Sequence, residues 1–282
     1  MKKTVIALCL GLSLFLVGPA SAVLIDPYDN ILPPDGFYGL FYGNYYQADQ
    51  FNDSSGNKAL DIDLTAKVGV LRGLYYRHLG KVPLAFQFIV PFGEVKETKA
   101  LQEKSSGLGD ITFGPAVFLY NNDDNKTYLS YWLYLTAPTG EWDRIQTINL
   151  GQNHWYVQHQ IALEKQWNGF VYDMNLNYYQ HQEESDNDYQ APDRFEVEAS
   201  LAYHVTEKFL FGVHGGGYWD RDEAEVGGVS LSDSKARRIQ FGPTMAYQLT
   251  DNLGVNLRWT HDVEARNDTE GDDVWLRFAY AF

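Results

Sequence analysis

From about Gly36 to the end of the chain, large apolar residues recur at every second position, the period of a strand rather than of a helix. The C-terminus shows this most cleanly. Val274, Leu276, Phe278, Tyr280 and Phe282 are large and apolar, while Asp273, Arg277, Ala279 and Ala281 between them are charged or small, with Trp275 the exception. The same alternation marks Ile62–Val70, Leu84–Phe92, Ile111–Leu119, Phe195–Val205, Ile239–Leu249 and Leu253–Trp259. Less regular strands fit at about 36–47, 127–138, 154–165, 169–181 and 209–220. Ten residues of strand, tilted by ~40–45°, cross roughly 25 Å, the height of a lipid-facing band.

The connections between these segments alternate strictly in length. Short ones lie near residues 78–81, 120–126, 166–169, 206–208 and 250–252; longer polar ones lie near 48–60, 93–107, 139–153, 182–193, 221–236 and 265–272. Short periplasmic turns and long extracellular loops are the habit of outer-membrane barrels, in which closure leaves no unpaired strand edge in lipid. The pattern therefore predicts an all-β fold over residues 36–282: a single twelve-stranded antiparallel up-and-down transmembrane β-barrel.

The first residues read as an address. A basic start, Met1-Lys2-Lys3, precedes the apolar run Thr4–Val17 and the small-x-small pattern of Ala20 and Ala22, so residues 1–22 are expected to be a signal peptide cleaved after Ala22. Residues 23–35 are then a periplasmic N-terminal segment. The lone cysteine, Cys9, is an apolar filler within the signal, leaving a mature chain without thiols that can pass through an oxidising periplasm.

Composition changes the picture in two places. The chain of 282 residues has 37 Asp+Glu against 22 Lys+Arg, an acidic balance that argues against nucleic-acid binding. It holds no continuous apolar run of helical membrane-spanning length after the signal, which excludes helices but not strands. Enzyme signals are weak. The seven histidines have no HExxH spacing and no cysteine partner, and no GxSxG occurs, so neither a catalytic residue nor a metal or other cofactor is predicted. The acidic stretches Glu183–Asp188 and Asp220–Glu223 lack the order of an EF-hand and read as solvated loop.

Twelve strands close to a backbone diameter of roughly 24 Å, which side chains narrow to a small channel or a plug. The positions opposite the apolar stripes are polar and of both signs. They give Asp63, Lys67, Asp110, Asp173, Glu196, Glu198, Arg238, Arg258 and Arg277 as lumen candidates, with the three arginines facing a wall of Glu196, Glu198 and Asp173. Tyr42, Tyr45, Tyr46, Phe92, Tyr128, Trp132, Trp155, Trp219, Trp259 and Tyr280 fall near strand ends and suit interfacial girdles.

Several phrases carry a family likeness: Ser106-Gly107-Leu108-Gly109-Asp110, Ala137-Pro138-Thr139-Gly140-Glu141-Trp142-Asp143, Asn149-Leu150-Gly151, and Glu264 to Arg277. The chain resembles the Gram-negative outer-membrane transporter-like proteins named for the meta-pathway of phenol degradation, over essentially its whole mature length. The resemblance implies a porin-like barrel admitting small, often hydrophobic or aromatic molecules. The terminal pattern of Val274, Leu276, Phe278, Tyr280 and Phe282 looks like the signal read by the barrel-assembly machinery. The expected partners are outer-membrane lipids, lipopolysaccharide, that machinery and a small-molecule solute. A barrel that transports nothing, serving structure or surface interaction, is the alternative; an outer-membrane hydrolase is a more distant one.

Overall fold

The computed structural model describes residues 25–184 and 186–282. The signal peptide and its cleavage after Ala22 lie outside the described residues. The regular structure is all strand: β1 (Gly36–Asn52), β2 (Lys58–Leu79), β3 (Val82–Glu97), β4 (Glu103–Leu108), β5 (Ile111–Asn122), β6 (Thr127–Ala137), β7 (Tyr156–Trp167), β8 (Phe170–His181), β9 (Tyr189–Gln190), β10 (Arg194–His204), β11 (Phe209–Asp220), β12 (Glu225–Val226), β13 (Val229–Ser230), β14 (Arg237–Thr250), β15 (Leu253–Arg266) and β16 (Asp268–Ala281).

β4 and β5 both pair with β3 and act as one broken strand, so twelve antiparallel staves close the barrel. The seam joins first and last strands, with Phe41 opposite Phe278 on one side and Leu71 on the other. The short strands β9, β12 and β13 form a separate small sheet within the connections of the outer face.

The outward apolar face is as expected on most staves. Phe86, Phe88 and Phe92 of β3, Phe195 and Leu201 of β10, Phe241 of β14, and Leu276, Phe278, Tyr280 and Phe282 at the C-terminus are all exposed to the lipid side. Burying this surface in hydrocarbon, not in a protein core, stabilises the fold.

β2 is the exception, and it corrects the sequence reading. Ile62, Leu64, Ala66, Val68 and Val70 point into the barrel and are buried, whereas Asp63 and Lys67 are exposed on the outside. The period of two is right but its phase is inverted. Period fixes which residues share a face; it does not say whether that face meets lipid, lumen or water. β2 is 22 residues long. At ~3.3 Å per residue it reaches roughly 70 Å, more than twice the hydrocarbon thickness. Its outer end therefore stands in water, where outward residues are polar and inward ones hold the staves together. Asp63 there accepts a hydrogen bond from the Thr98 hydroxyl at 2.5 Å. Lys67 lies opposite Glu94, which pairs with Lys104 at 2.6 Å.

The same extension shortens several expected loops. Most of 48–60 and 93–107 is strand, and β15 and β16 are joined by Asn267 alone, in a left-handed conformation (φ 46°). The polar composition reported exposure to water, not lack of strand. The long connections that remain are 138–155, 182–193 and 221–236.

The phrases behind the family likeness meet in space. Gly140 N donates to Asp110 Oδ1 at 2.8 Å and Gln152 N to Asp110 Oδ2 at 2.7 Å, while Glu141 N donates to Leu108 O at 2.7 Å. A Cβ on Gly140 would stand 2.7 Å from Gly151 Cα and 2.8 Å from the Gly109 carbonyl carbon. The backbones approach this closely only because those three residues lack side chains. Asp110 is thus the clamp of the 138–155 connection, not a wall residue of the pore.

Candidate functional site: the barrel lumen

The lumen has two unlike sectors. On β1 to β6 its surface is apolar and aromatic: Tyr42, Val68, Val70, Leu74, Tyr76, Ile89, Phe118, Trp132 and Tyr134 form one buried cluster with Trp275. Phe118 and Trp132 meet edge-on at 6.1 Å, and Trp132 stacks on Tyr134 at 6.1 Å. Tyr42, Tyr46, Tyr128 and Trp132 are therefore lumen residues, against the girdle expectation, while Tyr45, Phe92, Trp155, Trp259 and Tyr280 are exposed outside. From β7 round to β16 the wall is polar, with Gln158, Asp173, Asn175, Glu198, His214 and Arg258 all buried.

Residues 25–35 enter this space rather than staying in the periplasm as expected. Ile25 is fully buried, and its carbonyl accepts a hydrogen bond from Arg258 Nη1 at 3.0 Å. Arg277 Nε lies 3.3 Å from Asp26 Oδ2, and Arg277 Nη1 also pairs with Asp29. Asp173 accepts from the backbone of Tyr28 at 3.2 Å and of Asn30 at 3.3 Å, and Asn30 Nδ2 donates to Asn175 Oδ1 at 3.0 Å. Tyr28 Oη and His204 Nε2 are 2.5 Å apart. The physical reason is complementarity: two aspartates and an asparagine of the segment match arginine and carboxyl groups of the wall, and a buried charge needs such partners.

The segment leaves the barrel at its periplasmic end. Asp35 there accepts from the His78 backbone N at 3.1 Å, and the His78 ring Nδ1 lies 2.6 Å from Asp35 Oδ1. Those hydrogen bonds to His78 hold the Asp35 carboxyl below its ordinary range.

The three arginines make no ion pair with the predicted acidic wall, although the charge of Arg258 reaches Glu198 across the lumen. Arg238 donates to Asp268 Oδ1 at 2.6 Å and to Thr269 Oγ1 at 3.2 Å, and lies 3.9 Å from Asp262. Its pair joins β14 to the β15–β16 hairpin. Arg258 and Arg277 hold the N-terminal segment. Asp173 does the same from the opposite wall, across from Glu164 in the β7–β8 register. Glu196 accepts from the Tyr179 hydroxyl at 2.7 Å, and Glu198 has His214 Nε2 at 3.9 Å. The nine candidates therefore divide: six line the lumen, Asp110 clamps a loop, and Asp63 and Lys67 are outside.

Two buried arginines escaped the sequence reading, Arg194, paired with Asp220 at 2.7 Å, and Arg72. Arg72 is buried on β2, where Nε donates to Gln87 Oε1 at 3.0 Å and Nη1 to the Tyr42 hydroxyl at 3.5 Å. A signal was present. Arg72 shares the parity of Ile62 to Val70, and an arginine amid a stripe assigned to lipid contradicts that assignment. Between the N-terminal segment and this wall lies a cavity of about 430 Å³, lined by Tyr28, Leu40, Arg72, Leu74, Tyr76 and Arg277 among others.

The family described as "Putative MetA-pathway of phenol degradation" matches residues 48–278. A crystal structure of an outer membrane channel from Pseudomonas putida F1 is similar at 26% identity and a TM-score of 0.85, covering 92% of this chain and all of that one. The β domain of a Bordetella autotransporter shares the fold at 8% identity and a TM-score of 0.53, covering 88% of this chain and all of that one. No curated protein sequence matches.

Proposed function

We propose a channel function for this chain, which belongs to the MetA-pathway of phenol degradation family and is an outer-membrane β-barrel. It passes small hydrophobic or aromatic molecules by diffusion, without ATP and without a cofactor. The observation that carries the reading is the apolar and aromatic sector inside the barrel. A pore for sugars or ions is lined by polar groups, whereas a transmembrane barrel that turns Val68, Leu74, Phe118 and Trp132 inward offers a path to solutes that leave water readily. The similar Pseudomonas protein is an outer membrane channel, which favours transport over a surface scaffold or a hydrolase.

In this reading the signal peptide is removed after Ala22, the C-terminal residues Val274 to Phe282 guide insertion by the assembly machinery, and lipid and lipopolysaccharide surround the outward face. Selectivity belongs to Arg258, Arg277, Asp173, Glu196 and Glu198 together with the N-terminal segment they border. Arg238 serves the wall. The segment's many anchors favour a resting state of low flux, so a closed scaffold is the competing reading.

Growth tests the proposal. Cells of a Gram-negative strain with reduced outer-membrane permeability, given a limiting monoaromatic carbon source, should grow faster when they express the chain. Growth equal to that of an empty-vector control, with the barrel confirmed in the outer membrane, overturns it.

A further inference from the structure

Arg72 differs from the other buried lumen arginines in having neither an acidic partner within ion-pair reach nor a hold on the N-terminal segment. Arg194 has Asp220 at 2.7 Å, Arg238 has Asp268 at 2.6 Å, and Arg277 has Asp26 at 3.3 Å. Arg258 lacks a carboxylate within ion-pair reach, but it is capped by the Ile25 carbonyl at 3.0 Å and occupied in holding the segment. Arg72 has only neutral partners, Gln87 Oε1 and the hydroxyls of Tyr42 and Tyr134, with its guanidinium 5.7 Å from the Trp132 ring centre. The residues outside the described set do not change this, because positions 1–24 and 185 contain no Asp or Glu.

A guanidinium carries five N–H donors in a planar fork suited to a carboxylate. Neutral oxygens meet part of that fork in Arg72, and none of them balances its charge. A buried cation left with neutral neighbours is costly, and an anion brought beside it recovers much of that cost. The groups around it set the rest of the ligand. Leu40, Leu74, Tyr38 and Tyr76 line the same cavity, with Tyr38 and Tyr76 edge-on at 5.2 Å. The cavity volume of about 430 Å³ lies in the range of small-molecule sites. Its other charges are balanced or remote: Asp29 is taken by Arg277, while Glu207, Lys208 and Asp251 stand on exposed periplasmic turns.

We propose that the cavity bordered by Arg72 is a binding site for small aromatic carboxylates, with the carboxylate on the Arg72 fork and the ring against Leu40, Leu74 and Tyr76. This names a substrate class for the channel and rests on the channel reading. The site lies on the periplasmic side of the lumen, where a bound anion would be poised for release.

The test uses the full-length purified barrel with benzoate as probe, and benzamide and acetate as controls for charge and ring. Calorimetry measures binding, and proteoliposome entry measures flux. Benzoate should bind the wild type more tightly than either control. Arg72→Met should lower benzoate affinity by about tenfold or more while leaving benzamide unchanged, and Arg72→Lys should retain an intermediate affinity. Heat-modifiable gel migration shows that each variant is a closed barrel. If Arg72→Met does not close, the Arg72→Lys comparison and the wild-type ranking of the three probes decide.

Benzoate binding no better than benzamide and acetate, or unchanged in a folded Arg72→Met barrel, overturns the site. If benzamide still enters proteoliposomes in that case, the channel reading stands without it. Arg72-dependent benzoate binding with no entry of any probe supports the site and removes the channel.

Discussion

Replacing Asp173 with alanine should loosen the N-terminal segment without opening the barrel wall. The carboxylate accepts two backbone hydrogen bonds, from Tyr28 at 3.2 Å and Asn30 at 3.3 Å. An ordinary buried hydrogen bond is worth about 0.5–1.5 kcal/mol net, and both are lost together. The loss is therefore about 2 kcal/mol, or roughly thirtyfold in the ratio of released to seated segment. Asp173 also hydrogen-bonds Glu164 side chain to side chain across β7 and β8, and in the variant Glu164 keeps the hydrogen bond from Gln166 at 2.5 Å. Arg277 with Asp26 and Asp29, and Arg258 with the Ile25 carbonyl, still hold the deeper part. The expected result is partial release: more frequent openings in single-channel recordings, and faster proteolysis within residues 25–35 of the reconstituted protein. Adding Asp29→Ala should increase both effects. An Asp173→Ala barrel with wild-type opening frequency and wild-type protection of the segment would refute the reasoning, because the segment would then not depend on this anchor.

The phase of β2 is tested by cysteine labelling, since Cys9 is the only native thiol and lies in the predicted signal. Lys67→Cys should react on intact cells with a membrane-impermeant maleimide, whereas Val68→Cys should be protected; the reverse pattern contradicts the inverted face. Gly140→Val should disrupt the meeting of residues 109, 140 and 151, at about 1–3 kcal/mol, and expose the 138–155 connection to protease. The periplasmic tether has a pH dependence of defined sign. A carboxyl held below its ordinary pKa stabilises the fold above that ordinary value, about 3.9, and loses the contribution as pH falls through the depressed one. Protection of the His78 amide from hydrogen exchange should therefore persist at neutral pH and fall only in strong acid, and Asp35→Asn should remove that step.

Much of this structure was legible in the chain, for reasons that particular residues make plain. Twelve staves follow from period two because lipid outside and packing inside both demand alternation. Phe86, Phe88, Leu276 and Phe278 face lipid as their pattern predicts. Ile62 and Val68 defeat the same reasoning, since an apolar stripe facing the lumen has the same spacing as one facing lipid. Arg72 on that stripe was the clue to the inversion. The segment before β1 was not legible as a lumen element, because Asp26, Asp29 and Asn30 look like ordinary loop residues until Arg277 and Asp173 are placed opposite them. Asp110 looked like a strand-lining acid because it immediately precedes β5; only the approach of Gly140 and Gln152 from distant sequence makes it a clamp.

The central claim is that the lumen of this outer-membrane barrel conducts small apolar or aromatic solutes. Entry of radiolabelled benzyl alcohol and benzamide into proteoliposomes holding the purified barrel measures this directly, with a sugar of similar size as the polar reference. The account predicts entry of the aromatic solutes faster than in protein-free or heat-denatured controls, little entry of the sugar, and a rise in aromatic entry when residues 25–35 are released by Asp173→Ala with Asp29→Ala. Aromatic entry equal to the protein-free rate in both the native and the released barrel would contradict it.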